Sequence, residues 1–205
     1  MRIGVDFDNT IVCYDSLFHA VALERALITP DVPASKEHVR NAIREHVSEE
    51  SWTELQGHVY GVAIDRAAPF PGALEFFAAC AQRGVEVCVV SHRTRLPQRG
   101  PEVDLHSAAR RWLQSQRFHD PDHGRLSAEH VFFEATQRDK IARIVHLGCR
   151  MFIDDLPEFL SRADFPADVQ RILFDPHGRD PLAGDVERAS SWAEILTSIE
   201  SRLPL

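Results

Sequence analysis

Short, predominantly apolar runs alternate along the chain with longer stretches of helical period. The runs lie at 2–5, 85–90, 131–133, 151–153 and 171–174, and the run at 171–174 is the last clear strand pattern. Nearly continuous apolar runs of this length are typical of strands that are buried on both faces of a parallel sheet. Helical patterns lie at 73–82, 103–118, 137–147 and 192–203. The alternation predicts an α/β fold with a Rossmann-like parallel sheet.

One stretch between the first two runs has helical patterns and no strand pattern. Ser16 and Ser35 are candidate helix caps, and a third helix is predicted over 49–59. The sequence Pro-Phe-Pro-Gly at 69–72 marks the return to the strand pattern. We therefore predict an all-helical insertion at 15–68 and a core domain formed by 1–14 and 69–205. The expected inward positions of the first two helices are Leu17, Val21, Leu27, Ile28, Val39, Ile43 and Val47.

Composition narrows the functional class. The 205 residues are 44% hydrophobic and 26% charged, as in ordinary globular proteins. The formal net charge of −8 argues against a nucleic-acid polymer as partner. No apolar run approaches membrane-spanning length, and the first residues show no signal-peptide pattern, so a cytoplasmic location without membrane contact is expected. The four cysteines lack paired spacing, which favours reduced thiols over a zinc site.

Polar residues with chemical potential follow several of the predicted strands. Asp6 and Asp8 follow the first run, Ser91 ends the second, and the pair Asp154-Asp155 ends the fourth. Lys140 lies in the first turn of a helix capped by Thr136, where the helix dipole favours acids rather than lysine. Each feature alone has an ordinary explanation as a turn or surface residue. Together they are expected to converge, because the carboxyl ends of parallel strands lie at one edge of the sheet.

Closely spaced carboxylates need a compensating cation. Asp6 and Asp8 cannot both stay ionised at short range without a metal, a proton or a cluster of donors. A hard divalent cation is the simplest solution, with one carboxylate as nucleophile and the other transferring protons. A second acidic cluster, with two histidines and two aspartates at 119–125, contains Pro121 and Gly124. A surface turn is favoured there over a metal site.

With these residues in this order, the sequence resembles the haloacid dehalogenase-like (HAD) superfamily hydrolases of the C1-capped phosphatase type. The first motif of that family matches Asp6, Asp8 and Thr10, and Ser91, Lys140 and Asp154-Asp155 match the other three. The resemblance covers 1–14 and about 69–175. It implies the HAD fold, with the helical insertion as a small cap after the first strand.

The resemblance also implies a role for each residue. Asp6 would form an aspartyl-phosphate, and Asp8 would protonate the leaving oxygen and then activate water. Mg²⁺ would be held by the Asp6 carboxylate, the Asp8 backbone carbonyl and the acidic pair, with Asp155 favoured as direct ligand and Asp154 beside it. Lys140 would neutralise Asp6. The residues expected to bind the substrate phosphate are Thr10, Ser91, His92 and Lys140, together with backbone amides near Phe7 and His92.

These roles predict a Mg²⁺-dependent phosphatase acting on a small phosphorylated metabolite, of the nucleotide or phospho-sugar class. Family dehalogenases lack the second aspartate of the first motif, so Asp8 favours phosphoryl chemistry. The acidic pair and the residues around it, 153–157, also resemble those of 5′-deoxynucleotidases. A phosphomutase and a non-catalytic phosphate-binding protein remain alternatives, and the oligomeric state is open. The candidates for substrate choice are Tyr14, Trp52, Gln56, Tyr60, His92 and Arg93, although core packing is favoured for Trp52 and Tyr60.

Overall fold

The structure is a computed structural model that describes residues 1–178 and 184–202. Its contacts divide the chain into two compact units. The first unit comprises Met1–Ile11, Pro69–Arg93 and Arg117–Leu205, and the second comprises Val12–Ala68 and Thr94–Gln116.

The first unit is built on a parallel sheet of six strands. The strands of the chain are β1 (Arg2–Val5), β2 (Val12–Cys13), β3 (Ala68–Pro69), β4 (Glu86–His92), β5 (Val131–Glu134), β6 (Met151–Asp154), β7 (Gln170–Phe174) and β8 (Val186–Ala189). The sheet has the order β5-β4-β1-β6-β7-β8. Val5 at the end of β1 pairs with Val89 of β4 on one side and Ile153 of β6 on the other. The predicted α/β fold with a parallel sheet is confirmed, and β8 is a strand that the sequence pattern missed.

Most predicted helices occur with small changes at their ends. The helices are α1 (Asp15–Glu24), α2 (Lys36–His46), α3 (Glu49–Gly61), α4 (Ala73–Gln82), α5 (Leu105–Ser115), α6 (Gln137–His146), α7 (Pro157–Leu160) and α8 (Trp192–Glu200). The predicted caps Ser35 and Thr136 accept hydrogen bonds from the amides of His38 and Asp139. The last helix ends at Glu200, and Leu203, its predicted end, lies outside the described residues.

Three details of the predicted helices are wrong. Tyr14 rather than Ser16 precedes α1, and the helix ends before Leu27 and Ile28 because Ala26 adopts a positive φ of 53°. Val47 is 49% exposed, since α2 ends at His46 and the backbone turns away.

The sheet of the first unit has an apolar layer on each face. Helices α6 and α7 contribute Ile141, Ile144 and Phe159 to a cluster with Cys88 and Phe152 of the sheet. Trp192 of α8 packs at 4.8 Å from the Phe76 ring and 5.6 Å from the Phe174 ring, measured between centroids. Phe174 and its neighbour Leu173, a member of the cluster, point to opposite faces because side chains alternate along a strand. Helices α6 and α8 therefore cover opposite faces of the sheet.

The second unit is helical and larger than the predicted insertion. Besides α1, α2 and α3 it contains the segment 94–116, which was predicted to belong to the core domain. Trp112 of α5 donates its indole N–H to the Ala67 carbonyl at 2.9 Å, and Arg111 pairs with Asp65 at 3.0 Å. These contacts explain why α5 belongs to this unit. The role of the second unit as a cap stays a prediction.

Candidate active site

The carboxyl ends of β1, β4 and β6 bring the predicted polar residues to one edge of the sheet. Asp6 follows β1 and is fixed by its amide, which donates to the Ile153 carbonyl of β6 at 2.9 Å. Asp154 ends β6, and both aspartates are buried. The expected convergence of residues from distant parts of the sequence is therefore present in the fold.

Lys140 forms ion pairs with both aspartates, Asp6 and Asp154. Its Nζ atom lies 2.6 Å from Asp6 Oδ1 and 2.6 Å from Asp154 Oδ2, and the residue is 2% exposed. The ammonium also lies 4.3 Å from the centroid of the Phe159 ring, within the range of a cation–π contact. Two buried carboxylates thus explain a lysine in the first turn of α6, where the helix dipole alone disfavours it.

Burial and the neighbouring charges shift the pKa of Asp6 and that of Lys140. Loss of hydration raises the pKa of Asp6 from its ordinary value of 3.8 to about 7, although Lys140 opposes the shift and Asp154 adds to it. Burial alone would lower the pKa of Lys140, but the carboxylates of Asp154 and Asp6 raise that pKa above the ordinary value of lysine. Lys140 therefore carries a fixed positive charge in the site.

Asp6, Asp154 and Asp155 form a group that could hold a metal ion. Each offers one carboxylate oxygen, and these atoms lie within 4.8 Å of one another. Asp154 is buried and accepts hydrogen bonds from Lys140 and from the Leu156 amide at 3.0 Å, whereas Asp155 is half-buried and accepts one from the Thr10 hydroxyl at 3.4 Å. The choice of Asp155 as direct metal ligand stays a prediction. Within residues 1–178 and 184–202, no other group of His, Cys, Asp and Glu side chains meets this spacing.

The charge of the site fits a divalent cation. The carboxylates of Asp6, Asp8, Asp154 and Asp155 contribute four negative charges if all are ionised. Lys140 contributes one positive charge, and Arg93, which pairs with Asp8, contributes the other. The balance of −4 and +2 would then be −2, a charge that a bound cation with oxygen ligands could compensate.

Asp8 has a partner that the sequence motifs did not identify. Nη1 of Arg93 lies 2.6 Å from Asp8 Oδ1 and 2.6 Å from Asp8 Oδ2. From the sequence, Arg93 is a candidate for substrate choice because it lies two residues after Ser91. Nothing in the sequence pairs it with a residue 85 positions away.

The loop between Asp8 and Thr10 depends on a left-handed residue. Asn9 has a φ of 58°, a conformation that asparagine tolerates better than most residues other than glycine. The Thr10 hydroxyl donates to Asp155 Oδ1 at a long distance of 3.4 Å, and the Thr10 carbonyl accepts from the Trp192 indole. Thr10 thus contacts the acidic group. Its predicted contact with the substrate phosphate stays a prediction.

Ser91 and His92 lie on opposite faces at the end of β4. Ser91 is buried, whereas the exposed His92 ring has its Nε2 atom 3.1 Å from the Ala135 carbonyl oxygen. Alternation along the strand places Ser91 and Arg93 together and turns the His92 ring away from them. A phosphate contact from His92 would therefore come from its backbone amide rather than its ring.

The aspartates and histidines at 119–125 form a surface turn. The Asp120 carboxylate accepts a hydrogen bond from the Asp122 amide at 2.8 Å and lies 3.1 Å from His123 Nδ1. The predicted surface turn is confirmed for this loop.

The substrate-choice candidates of the second unit differ in burial. Trp52 is buried, with its ring centroid 5.0 Å from that of Phe18, so it packs in the core as favoured. Gln56 and Tyr60 line a cavity of about 190 Å³ within this unit. The other polar side chains lining it are Thr53, Thr94 and Gln98.

Among the described residues, no helix combines the length and the apolar character that crossing a membrane requires.

Comparison with known proteins supports the fold. No protein-family model and no curated protein matches the sequence. A HAD family hydrolase from Deinococcus radiodurans R1, with bound phosphate and sodium, is similar with a TM-score of 0.59 and 14% identity, over 98% of this chain and 95% of that chain. A family IA HAD hydrolase from Entamoeba histolytica gives 0.56 and 11% over 94% of each chain.

A third solved structure is a mutant of CbbY from Rhodobacter sphaeroides in complex with xylulose-(1,5)bisphosphate. Its TM-score is 0.50 at 14% identity, over 94% of this chain and 95% of that chain. At these identities the likeness concerns the fold. The chain has the fold of the HAD-superfamily hydrolases, as the resemblance in its sequence implied.

Proposed function

We propose that this protein is a Mg²⁺-dependent phosphatase that hydrolyses a small phosphomonoester through an aspartyl-phosphate on Asp6. The observation that carries the proposal is the position of Asp6 at the end of β1, bonded to Lys140 and grouped with Asp154 and Asp155. The HAD fold of the chain and the phosphate bound to a protein of similar fold support the same chemistry.

The metal would be held by residues that the fold already groups. These are the carboxylates of Asp6 and Asp155, with Asp154 beside them and the backbone carbonyl of Asp8 as a further ligand. When bound, Mg²⁺ supplies charge neutralisation and orientation of the phosphoryl group. Lys140 adds a fixed positive charge beside Asp6, which reduces repulsion between the nucleophile and an anionic substrate.

The carboxylates divide the two chemical steps between them. In the first step a bond forms between an Asp6 carboxylate oxygen and phosphorus while the ester P–O bond breaks, and Asp8 gives a proton to the leaving oxygen. In the second step Asp8 takes a proton from water as the water oxygen attacks phosphorus. The bond to Asp6 then breaks, which releases phosphate and restores the carboxylate.

The substrate class that we propose is a phospho-sugar or a nucleotide. The residues at 153–157, which resemble those around the acidic pair of 5′-deoxynucleotidases, support a nucleotide. The xylulose-(1,5)bisphosphate bound to the CbbY mutant, a protein of similar fold, supports a phospho-sugar.

The test is phosphate release with Mg²⁺ from a panel of nucleotides, phospho-sugars and phospho-acids. The wild type is compared with Asp6→Asn and with Asp122→Asn, which changes an aspartate in the surface turn before β5. We expect release by the wild type and Asp122→Asn, and none by Asp6→Asn. Release by Asp6→Asn at the wild-type rate would refute the proposed nucleophile. A phospho-sugar that isomerises faster than it is hydrolysed would indicate a phosphomutase instead.

A further inference from the structure

Arg93 is a buried cation that the two chemical steps above do not use. Its guanidinium carbon lies 5.5 Å from the centroid of the Phe7 ring, and its amide donates to the Glu134 carbonyl at 2.9 Å. The Phe7 ring packs edge-on against the Phe133 ring at 5.8 Å between centroids. The arginine is thus held at its backbone by Glu134 of β5 and at its side chain by the Phe7 ring, which itself packs against Phe133 of β5.

The contact with Asp8 is one-sided. Nη1 of Arg93 reaches both carboxylate oxygens at 2.6 Å. The Arg93 side chain is 2% exposed and the Asp8 side chain 20% exposed. The buried cation therefore contacts a carboxylate that is itself partly exposed. A carboxylate oxygen has more than one acceptor position, so the contact with Arg93 is compatible with proton exchange at the same carboxylate.

We propose that Arg93 is a positioning residue for phosphoryl transfer, which fixes the orientation of the Asp8 carboxylate toward the leaving oxygen and the attacking water. The inference rests on the proposed function, because it takes Asp8 as the group that exchanges protons with both. Arg93 itself touches neither oxygen in this scheme. It acts through Asp8 alone.

Orientation matters because proton transfer requires a short contact. A general acid must lie about 2.6–3.2 Å from the atom that it protonates, and a displacement of about 1 Å can cost a hundredfold in rate. Asp8 follows β1 in a loop and is not among the three aspartates grouped for a metal. Its carboxylate would thus not be oriented by the metal. The contact with Arg93 supplies the restraint.

A second arginine of the same unit provides a matched control. Arg143 of α6 pairs with Glu134 at 2.7 Å and lies 4.7 Å from the Phe132 ring. It has the same combination of a carboxylate partner and a ring contact as Arg93. Because Arg143 lies outside the candidate site, Arg143→Gln measures the general effect of losing such a pair.

The test compares two aryl phosphates whose leaving groups differ in their need for a proton. p-Nitrophenolate leaves readily without one, whereas phenolate leaves poorly. For Arg93→Gln we expect kcat/KM for phenyl phosphate to fall about 100-fold, within the range for loss of general acid catalysis, and that for p-nitrophenyl phosphate to fall less than about tenfold. Asp8→Asn should show the same selectivity, and Arg143→Gln should leave both values close to wild type.

Two further variants separate positioning from other roles. Arg93→Lys keeps a charged nitrogen on a shorter side chain, so it should show the same selectivity as Arg93→Gln with a smaller loss. Adding Arg93→Gln to Asp8→Asn should cause no further loss, because Arg93 acts through Asp8. A further loss in the double variant would mean that Arg93 contacts the substrate, and it would overturn the proposal.

The outcomes also distinguish this inference from the proposed function. If the wild type releases phosphate and folded Arg93→Gln, or Arg93→Lys where the glutamine variant does not fold, loses both substrates equally, the positioning role is refuted and the phosphatase stands. If the wild type releases no phosphate from either aryl phosphate or from the panel, the proposed function fails, and the inference fails with it.

Discussion

At the scale of single residues, the site is an arrangement of buried charges that need one another. Asp6 and Asp154 share Lys140, Asp8 pairs with Arg93, and Asp155 accepts a hydrogen bond from Thr10. Removing Lys140 would leave both Asp6 and Asp154 without their shared buried cation, which is strongly destabilising. Even with Lys140 present, burial outweighs attraction at Asp6 and raises its pKa to about 7. The environment of Asp6 therefore favours its neutral form below about pH 7, and a bound cation would favour its carboxylate.

This raised pKa predicts how pH affects the stability of the metal-free protein. Between pH 3.8 and about 7 the folded state keeps the Asp6 proton that the unfolded state has released, so stability falls as pH rises through this range. Asp6→Asn removes the ionisable group. We therefore expect it to raise the Tm at pH 8, with metal removed by a chelator, by about 3 °C or more, the shift that about 1 kcal/mol produces in a domain of this size.

At pH 5 the gain should be smaller, because the folded wild type already carries the proton. Thermal unfolding at both pH values measures the difference. Asp122→Asn serves as control and should shift the Tm equally at the two pH values. A lower Tm of Asp6→Asn than of wild type at pH 8 would mean that the ion pair with Lys140 outweighs the cost of burial.

At the scale of elements, close packing against α3 limits the size of the side chains at two of its positions. A Cβ atom at Gly57 would lie 2.1 Å from the backbone oxygen of Arg99, and one at Gly61 would lie 2.2 Å from a methyl group of Val103. The segment 97–103 therefore approaches α3 where its glycines leave room. All of these residues belong to the second unit. The contact explains why a segment after β4 packs with the helical insertion.

Gly57→Ala tests this packing against helix propensity. Alanine favours an exposed helix over glycine by about 1 kcal/mol, but overpacking against a backbone atom costs about 1–3 kcal/mol. We expect a net loss of about 1 kcal/mol in the free energy of unfolding, measured with urea. Thr53→Ala, at a more exposed position of α3, should change it by less than about 0.5 kcal/mol. A gain in stability from Gly57→Ala would contradict the close approach.

At the scale of the whole molecule, local patterns predicted the elements better than the contacts between them. The caps Ser35 and Thr136 and the bounds of α4 depend on neighbouring residues, and they were correct. The helical pattern at 137–147 contains Ile141, Ile144 and Val145 as apolar residues, which favours an inward position for all three, yet Val145 is 57% exposed. At 100° per residue it lies about a quarter turn from the centre of the face that Lys140, Ile141 and Ile144 bury.

The site was predictable where the topology of the sheet alone brings residues together. Asp6 and the acidic pair each lie at the carboxyl end of a strand that the hydrophobic pattern indicated. Lys140 lies in the helix that follows the strand at 131–133. The contact between Arg93 and Asp8 was not predictable, because it depends on the direction of a long side chain. The packing of 94–116 with the helices and the pairing of β8 with β7 likewise depend on tertiary contacts that no local pattern records.

The most direct test of the account is capture of the covalent intermediate on Asp6. The wild type is mixed with a substrate in Mg²⁺, quenched in acid, reduced with borohydride and digested. Reduction converts an aspartyl-phosphate to homoserine, whose position mass spectrometry identifies. The account predicts homoserine at residue 6 of the wild type and none in Asp6→Asn. Modification of another aspartate, or phosphate release with residue 6 unmodified throughout turnover, would contradict it.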